Sequence, residues 1–138
     1  MTEKELASYI IENLLAADFV IQRYDAYSTN SIYLKLDYGV MNSIRISNHT
    51  GKQYLKYRYN IGSNIKKFQN KIDKYPRFYY PEKQVDKMLD KIISDRDEKI
   101  RKYGNLRYHF YMGENKTKNS EKAGFWKQAK LVEKEKTV

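Results

Sequence analysis

Apolar residues recur at helical spacing near the start of the chain: Leu6, Ile10, Leu14 and Ala17. Thr2 precedes them with Glu5 three positions on, a capping-box pair, so the spacing predicts an amphipathic helix over 3–16. The period then changes. Residues 19–24 (FVIQRY) read as a strand, and 31–37 (SIYLKLD) alternate, with Ile32, Leu34 and Leu36 on one face and Tyr33, Lys35 and Asp37 on the other. Residues 43–47 (SIRIS) place Ile44 and Ile46 inward and Arg45 outward. Turn residues follow, and 53–61 set Leu55, Tyr57, Tyr59 and Ile61 against Tyr54, Lys56, Arg58 and Asn60. Short connections between sequential strands predict an antiparallel meander over about 19–61.

Beyond Gly62, the residues Ile65, Phe68 and Ile72 space out a short helix whose outer side is Lys66, Lys67, Lys71 and Lys74. Tyr75-Pro76 ends it, because the residue before proline disfavours helix. Residues 77–80 (RFYY) suit a brief strand. After Pro81, the series Val85, Met88, Leu89, Ile92, Ile93 and Ile100 marks a long amphipathic helix to about Tyr103, with Gly104 as its cap. Residues 105–112 (NLRYHFYM) alternate again and read as a late strand. The fold class expected is α+β: a mostly antiparallel sheet, an N-terminal helix, a short basic helix and one long helix. A single domain over 1–112 and a polar basic tail over 113–138 with a short helix complete the expected organisation. Phe125 and Trp126 interrupt that tail, and two readings of the only tryptophan stand side by side, a partner anchor or a segment folding back on the domain.

Charge sharpens this picture. The chain of 138 residues carries a net +10, and residues 43–80 hold nine cations and one acid. Such clustering favours a polyanion or an acidic partner, although solubility alone also calls for charge. Cysteine is absent, which excludes a disulfide framework and a thiolate metal site and favours a cytoplasmic setting. No apolar run is long enough to predict a membrane span, and the N-terminus lacks the pattern of a signal peptide.

Catalytic patterns are missing from the sequence. The six glycines form no phosphate-binding loop, and neither a histidine–carboxylate metal spacing nor a serine-hydrolase elbow occurs. No cofactor or metal is expected. His49 and His109 would serve RNA cleavage only if the fold brought them together with a lysine. The binding candidates are Arg45, His49, Lys52, Tyr54, Lys56 and Arg58 on the expected hairpin, then Lys66, Lys67, Lys71, Lys74 and Arg77, with Trp126 in the tail. A sheet face of arginine, lysine and tyrosine neutralises phosphates and stacks unpaired bases, so RNA or single-stranded DNA is one partner class.

The segment Ile44-Arg45-Ile46-Ser47-Asn48-His49, with Tyr59-Asn60-Ile61 closing the return strand, resembles a strand–turn motif of small proteins from Gram-positive phages and mobile elements. Type II-A anti-CRISPR proteins are among them. The resemblance covers roughly 19–75. It implies a stoichiometric inhibitor of an RNA-guided type II CRISPR nuclease in the bacterial host cytoplasm. At +10 the chain cannot imitate DNA, so the implied contact is an acidic patch of the nuclease or its guide RNA. Ser47 and Asn48 are equally good turn chemistry, which would make the motif a builder of the hairpin.

Overall fold

The computed structural model describes residues 1–27, 29–47, 57–65, 69–71, 77–121 and 128–133. Its fold is α+β. Helix α1 (Glu3–Ala16) begins at the capping box read from sequence: the Thr2 hydroxyl accepts from the Glu5 amide, and the Glu5 carboxylate accepts from the Thr2 amide. Strands β1 (Ile21–Asp25), β2 (Ile32–Leu36) and β3 (Ser43–Ile46) follow as an antiparallel meander. Then come β4 (Tyr59–Gly62), β5 (Gln69–Lys71), β6 (Arg77–Pro81), helix α2 (Val85–Tyr103), helix α3 (Asn105–Glu121) and β7 (Lys130–Val132). They make one seven-stranded sheet in the order β5-β6-β4-β3-β2-β1-β7.

Three expectations are corrected. First, β4 does not return along β3 as a hairpin. It pairs parallel to β3, with Ile44 opposite Tyr59 and Ile46 opposite Ile61, and β6 joins β4 in parallel as well. Alternation fixes which face a residue occupies but carries no information on strand direction. Ile44, Ile46, Tyr59 and Ile61 are inward as expected, whereas Tyr57, expected on the face of Tyr59, stacks on Tyr33 instead, and the topology was not legible. Residues 47–58 separate the two strands, a connection long enough for a parallel crossover. Second, within the expected basic helix Gln69–Lys71 are a strand, antiparallel to β6. Third, residues 105–112 are helical, and Gly113 lies inside α3.

One face of the sheet builds the core. Ile32, Leu34, Leu36, Ile44, Ile46, Tyr59, Ile61, Phe78 and Tyr80 meet Leu6, Ile10 and Leu14 of α1 and Val85, Met88, Leu89 and Ile92 of α2. Burying each such side chain contributes about 1.5–3 kcal/mol.

A 3-10 turn at Asp37–Gly39 closes β2. Asp37, Tyr38 and Gly39 all take left-handed backbone angles, with φ of 50, 54 and 91°. Two of the three are not glycine, a costly run that needs support from its surroundings. The Asp37 carboxylate provides it, accepting from the Val20 amide at 2.9 Å and from the Tyr108 hydroxyl, with the Arg96 guanidinium 3.9 Å away. Arg96 also donates to the Ala17 carbonyl at 2.5 Å and lies over the Phe19 ring at 3.7 Å. One buried carboxylate thus ties the end of β2 to both later helices. Among the described residues no helix is long and apolar enough to cross a membrane.

Candidate functional site

The second face of the sheet carries Arg45, one of the residues that sequence reading selected. Register places Tyr24 of β1, Tyr33 of β2, Arg45 of β3, Asn60 of β4 and Tyr79 of β6 in one cross-strand row. Side chains opposite each other in neighbouring strands share a face, so this row is polar and aromatic where the other face is apolar and packs on the helices. Tyr24 stacks on Tyr33 with ring centres 6.1 Å apart, and Tyr33 stacks on Tyr57 at 4.8 Å. Tyr57 lies just before β4, so its contact with Tyr33 spans β3, the strand that carries Arg45. Tyr24, Tyr33 and Lys35 are half-buried, while Tyr57, Asn60 and Tyr79 are buried.

Arg45 therefore occupies the expected face, but it is not an outward contact. It is 4% exposed, and its Nε meets no hydrogen-bond acceptor among the described residues. Tyr57 is buried beside it. Burial is the main cause that pushes the Tyr57 hydroxyl pKa up, the nearby Tyr33 adds to the rise, and the Arg45 charge opposes it.

Arg58, expected to share that outward face, turns the other way. Its guanidinium lies 5.8 Å from the Tyr59 ring centre and 5.6 Å from that of Phe78, both on the core face. The reason is Asp95 on α2, 3.8 Å from Arg58. Asp95 also accepts from the Tyr59 hydroxyl at 2.6 Å and from Lys91 at 3.0 Å. A desolvated carboxylate between two cations, with aromatic faces beside them, is a stronger attractor than open solvent. Burial and the Asp95 bond push the Tyr59 pKa up, so this hydroxyl stays a donor.

Arg77 opens β6 and is half-buried, opposite Lys71 in the register with β5. His49, Lys52, Tyr54, Lys56, Lys66, Lys67, Lys74 and Trp126 lie outside the described residues. His109 is on α3, exposed, with Nδ1 2.8 Å from the Asn105 carbonyl one turn back. Among the described residues no group of three histidines or carboxylates has metal-site geometry.

Sequence reading passed over Tyr24 and Tyr33, whose place beside Arg45 depends on strand register. It also passed over Asp37 and Asp95, which look like ordinary surface acids in a linear reading. No known protein family, curated protein or solved structure matches the chain.

Proposed function

We propose that this protein acts by stoichiometric binding, as an inhibitor of an RNA-guided type II CRISPR nuclease, through the tyrosine–arginine face of its sheet. The observation that carries the reading is the row itself: the motif arginine, itself buried, stands at the centre of the face opposite the helices between Tyr33 of β2 and Asn60 of β4, and the half-buried Tyr24 and Tyr33 present the aromatic surface beside it. Eight further cations lie within 43–80, of which Arg58 turns to the core face. Tyrosine and arginine are the side chains that anchor protein interfaces, and a cationic face selects an acidic patch or the guide RNA. An inhibitor of this kind works by holding a nuclease domain that must move before cleavage.

The test is DNA cleavage by a guide-loaded type II nuclease, titrated with the protein at near-physiological salt. Inhibition saturating near equimolar protein is expected. Lys35→Glu combined with Arg77→Glu should weaken it by about tenfold or more, as loss of interface anchors does. Lys83→Glu combined with Lys87→Glu, on the exposed side of the turn before α2 and of α2 itself, should leave it unchanged. Inhibition that needs large excess and disappears with competitor RNA would defeat the reading.

One observation favours a second reading, a nucleic-acid-binding accessory protein. Tyr24 and Tyr33 form a half-open stack of the sort on which unpaired bases lie. Binding to single-stranded RNA that falls steeply with salt, without preference for any nuclease, would establish it.

A further inference from the structure

Helix α3 has two apolar faces, and the fold uses one of them. An α-helix turns by about 100° per residue, so Leu106 and Phe110 stand together while Tyr108 and Met112 stand on roughly the opposite side. Tyr108 is buried on Asp37 and Met112 packs against the core. Leu106 is 91% exposed and Phe110 60%. Tyr111 adjoins Phe110 with ring centres 6.0 Å apart, and Tyr103 at the end of α2 meets Tyr111 edge-on at 6.4 Å. Both tyrosines are exposed. Four large side chains thus form a patch that contributes nothing to the core, and patches of this kind mark interaction sites.

A second feature points the same way. Gly113 is one turn from Phe110 in mid-helix, with no positive φ, and a methyl group there would touch nothing among the described residues. Glycine in a helix interior costs roughly 1 kcal/mol against alanine. Neither backbone angle nor internal packing requires it here. It leaves a flat place beside the patch where another backbone can come close, as small residues do where helices cross.

Charge decides the occupant. Lys102, whose Nζ lies 5.6 Å from the Tyr103 ring centre, and Arg107 border the patch. Glu114 lies 4.0 Å from Lys118 and is offset by it. A second copy would bring the same net-basic border to the contact and supply no surplus of carboxylates to pair with it. We infer that the outer face of α3 is a docking surface for a helix of another protein, one whose apolar stripe is flanked by carboxylates. Leu106 and Phe110 would enter that stripe, Gly113 would allow the close crossing, and Lys102 and Arg107 would pair with the flanking acids. This surface is separate from the sheet face, and either can fail without the other.

The experiment uses the full chain and a labelled synthetic helical peptide with a leucine stripe flanked by glutamates. Binding is followed by fluorescence anisotropy at near-physiological salt. Saturable binding is expected, weakened about tenfold or more by Phe110→Ser and by Gly113→Leu, and untouched by Leu131→Ser on β7. Unchanged denaturation midpoints would show that the variants fold. The inference is overturned by equal affinity for the matching lysine peptide, by no binding of either peptide, or by binding that Phe110→Ser leaves intact. It is overturned as well if the free chain self-associates through Phe110, if anionic phosphatidylglycerol vesicles bind in place of the peptide, or if Trp126→Ala tightens peptide binding by uncovering a patch occupied from within.

Discussion

Helices α2 and α3 are joined by a single residue, Gly104, yet they dispose of their apolar residues in opposite ways. On α2 the apolar positions form one stripe, and Val85, Met88, Leu89 and Ile92 are all buried against the sheet. Ile93 and Ile100 flank the stripe half-buried, Asp95 and Arg96 reach into the core's edge, and the remaining positions are mostly charged and exposed. On α3 the apolar positions are split, and only the side bearing Tyr108 and Met112 meets the core. Burial of α2 needs no further explanation, because a stripe facing a sheet is how a helix is held in a domain. The outer side of α3 does need one. A helix anchored by one buried tyrosine and carrying a second apolar side is positioned by the fold for something beyond the fold.

The sharpest way to break this comparison is to remove the anchor. Asp37→Ala deletes the acceptor for Tyr108 and for the Val20 amide and leaves Arg96 without its nearest carboxylate. Removing one partner of a buried pair costs about 3–5 kcal/mol. Urea denaturation should show a loss of that size, and hydrogen exchange should show α3 opening ahead of α2. Uniform exchange in the variant would mean that α3 does not depend on this carboxylate.

The next effect compares the helices directly. Ile92→Ala on α2 should cost about 2–5 kcal/mol, the usual result of emptying a filled core position. Phe110→Ala on α3, though it removes a larger side chain, should stay within about 0.5 kcal/mol of the parent. Comparable losses would show that Phe110 is part of the stabilising core and would remove the contrast.

A smaller effect depends on pH. Burial is the leading cause that raises the pKa of Tyr57, Tyr59, Tyr80 and Tyr108 above the ordinary 10, with Tyr80 pushed up to about 12. A raised pKa means that the folded chain holds its proton where the unfolded chain has lost it. Stability from these groups is therefore complete below pH 10 and falls as pH rises from 10 towards about 12. Lys99 acts in the opposite sense, because burial lowers its pKa and rising pH removes the cost of a buried charge. Four tyrosines against one lysine give net alkaline unfolding. Denaturation at stepwise pH should show it, and Tyr80→Phe should flatten the slope. A flat profile between pH 10 and 12 would contradict the burial of these rings.

The same contrast shows what the sequence made legible. The single stripe of α2 and the capping box of α1 gave elements, boundaries and inward residues directly, since one period matched one face. In α3 the series Leu106, Tyr108, Phe110, Met112 fits a strand with period two. It fits a helix with two i,i+4 pairs equally well, Leu106 with Phe110 and Tyr108 with Met112. Alternation alone gave the strand expectation, and tyrosine and phenylalanine do not argue against it, because they favour pleated surfaces. The reading failed because a helix with two apolar faces does not show the single stripe by which helices are recognised. Strand direction was hidden in the same way. Ile44, Ile46, Tyr59 and Ile61 were placed inward correctly, but nothing in alternation distinguishes a hairpin from a parallel pair. The cross-strand row was half legible: Arg45 was selected by alternation, charge and motif, whereas Tyr24 and Tyr33 join it only through register.

Gly113→Ala has the smallest expected effect on folding and separates the two explanations of α3. If the helix serves the fold alone, its glycine is a defect. The added methyl meets no neighbour among the described residues, and alanine is the best helix former. Stability should then rise by about 0.5–1 kcal/mol, both by restricting the unfolded chain and by favouring helix. Thermal or urea denaturation would register that gain. A loss would mean that the position is crowded or its backbone unsuited to alanine, and the two-faced account of α3 would fall with it. If stability rises while binding to the acidic helical peptide weakens, one methyl group will have improved the fold and damaged the docking surface. That trade identifies a residue kept for contact with a partner, and it is the outcome that the opposed faces of α3 lead us to expect.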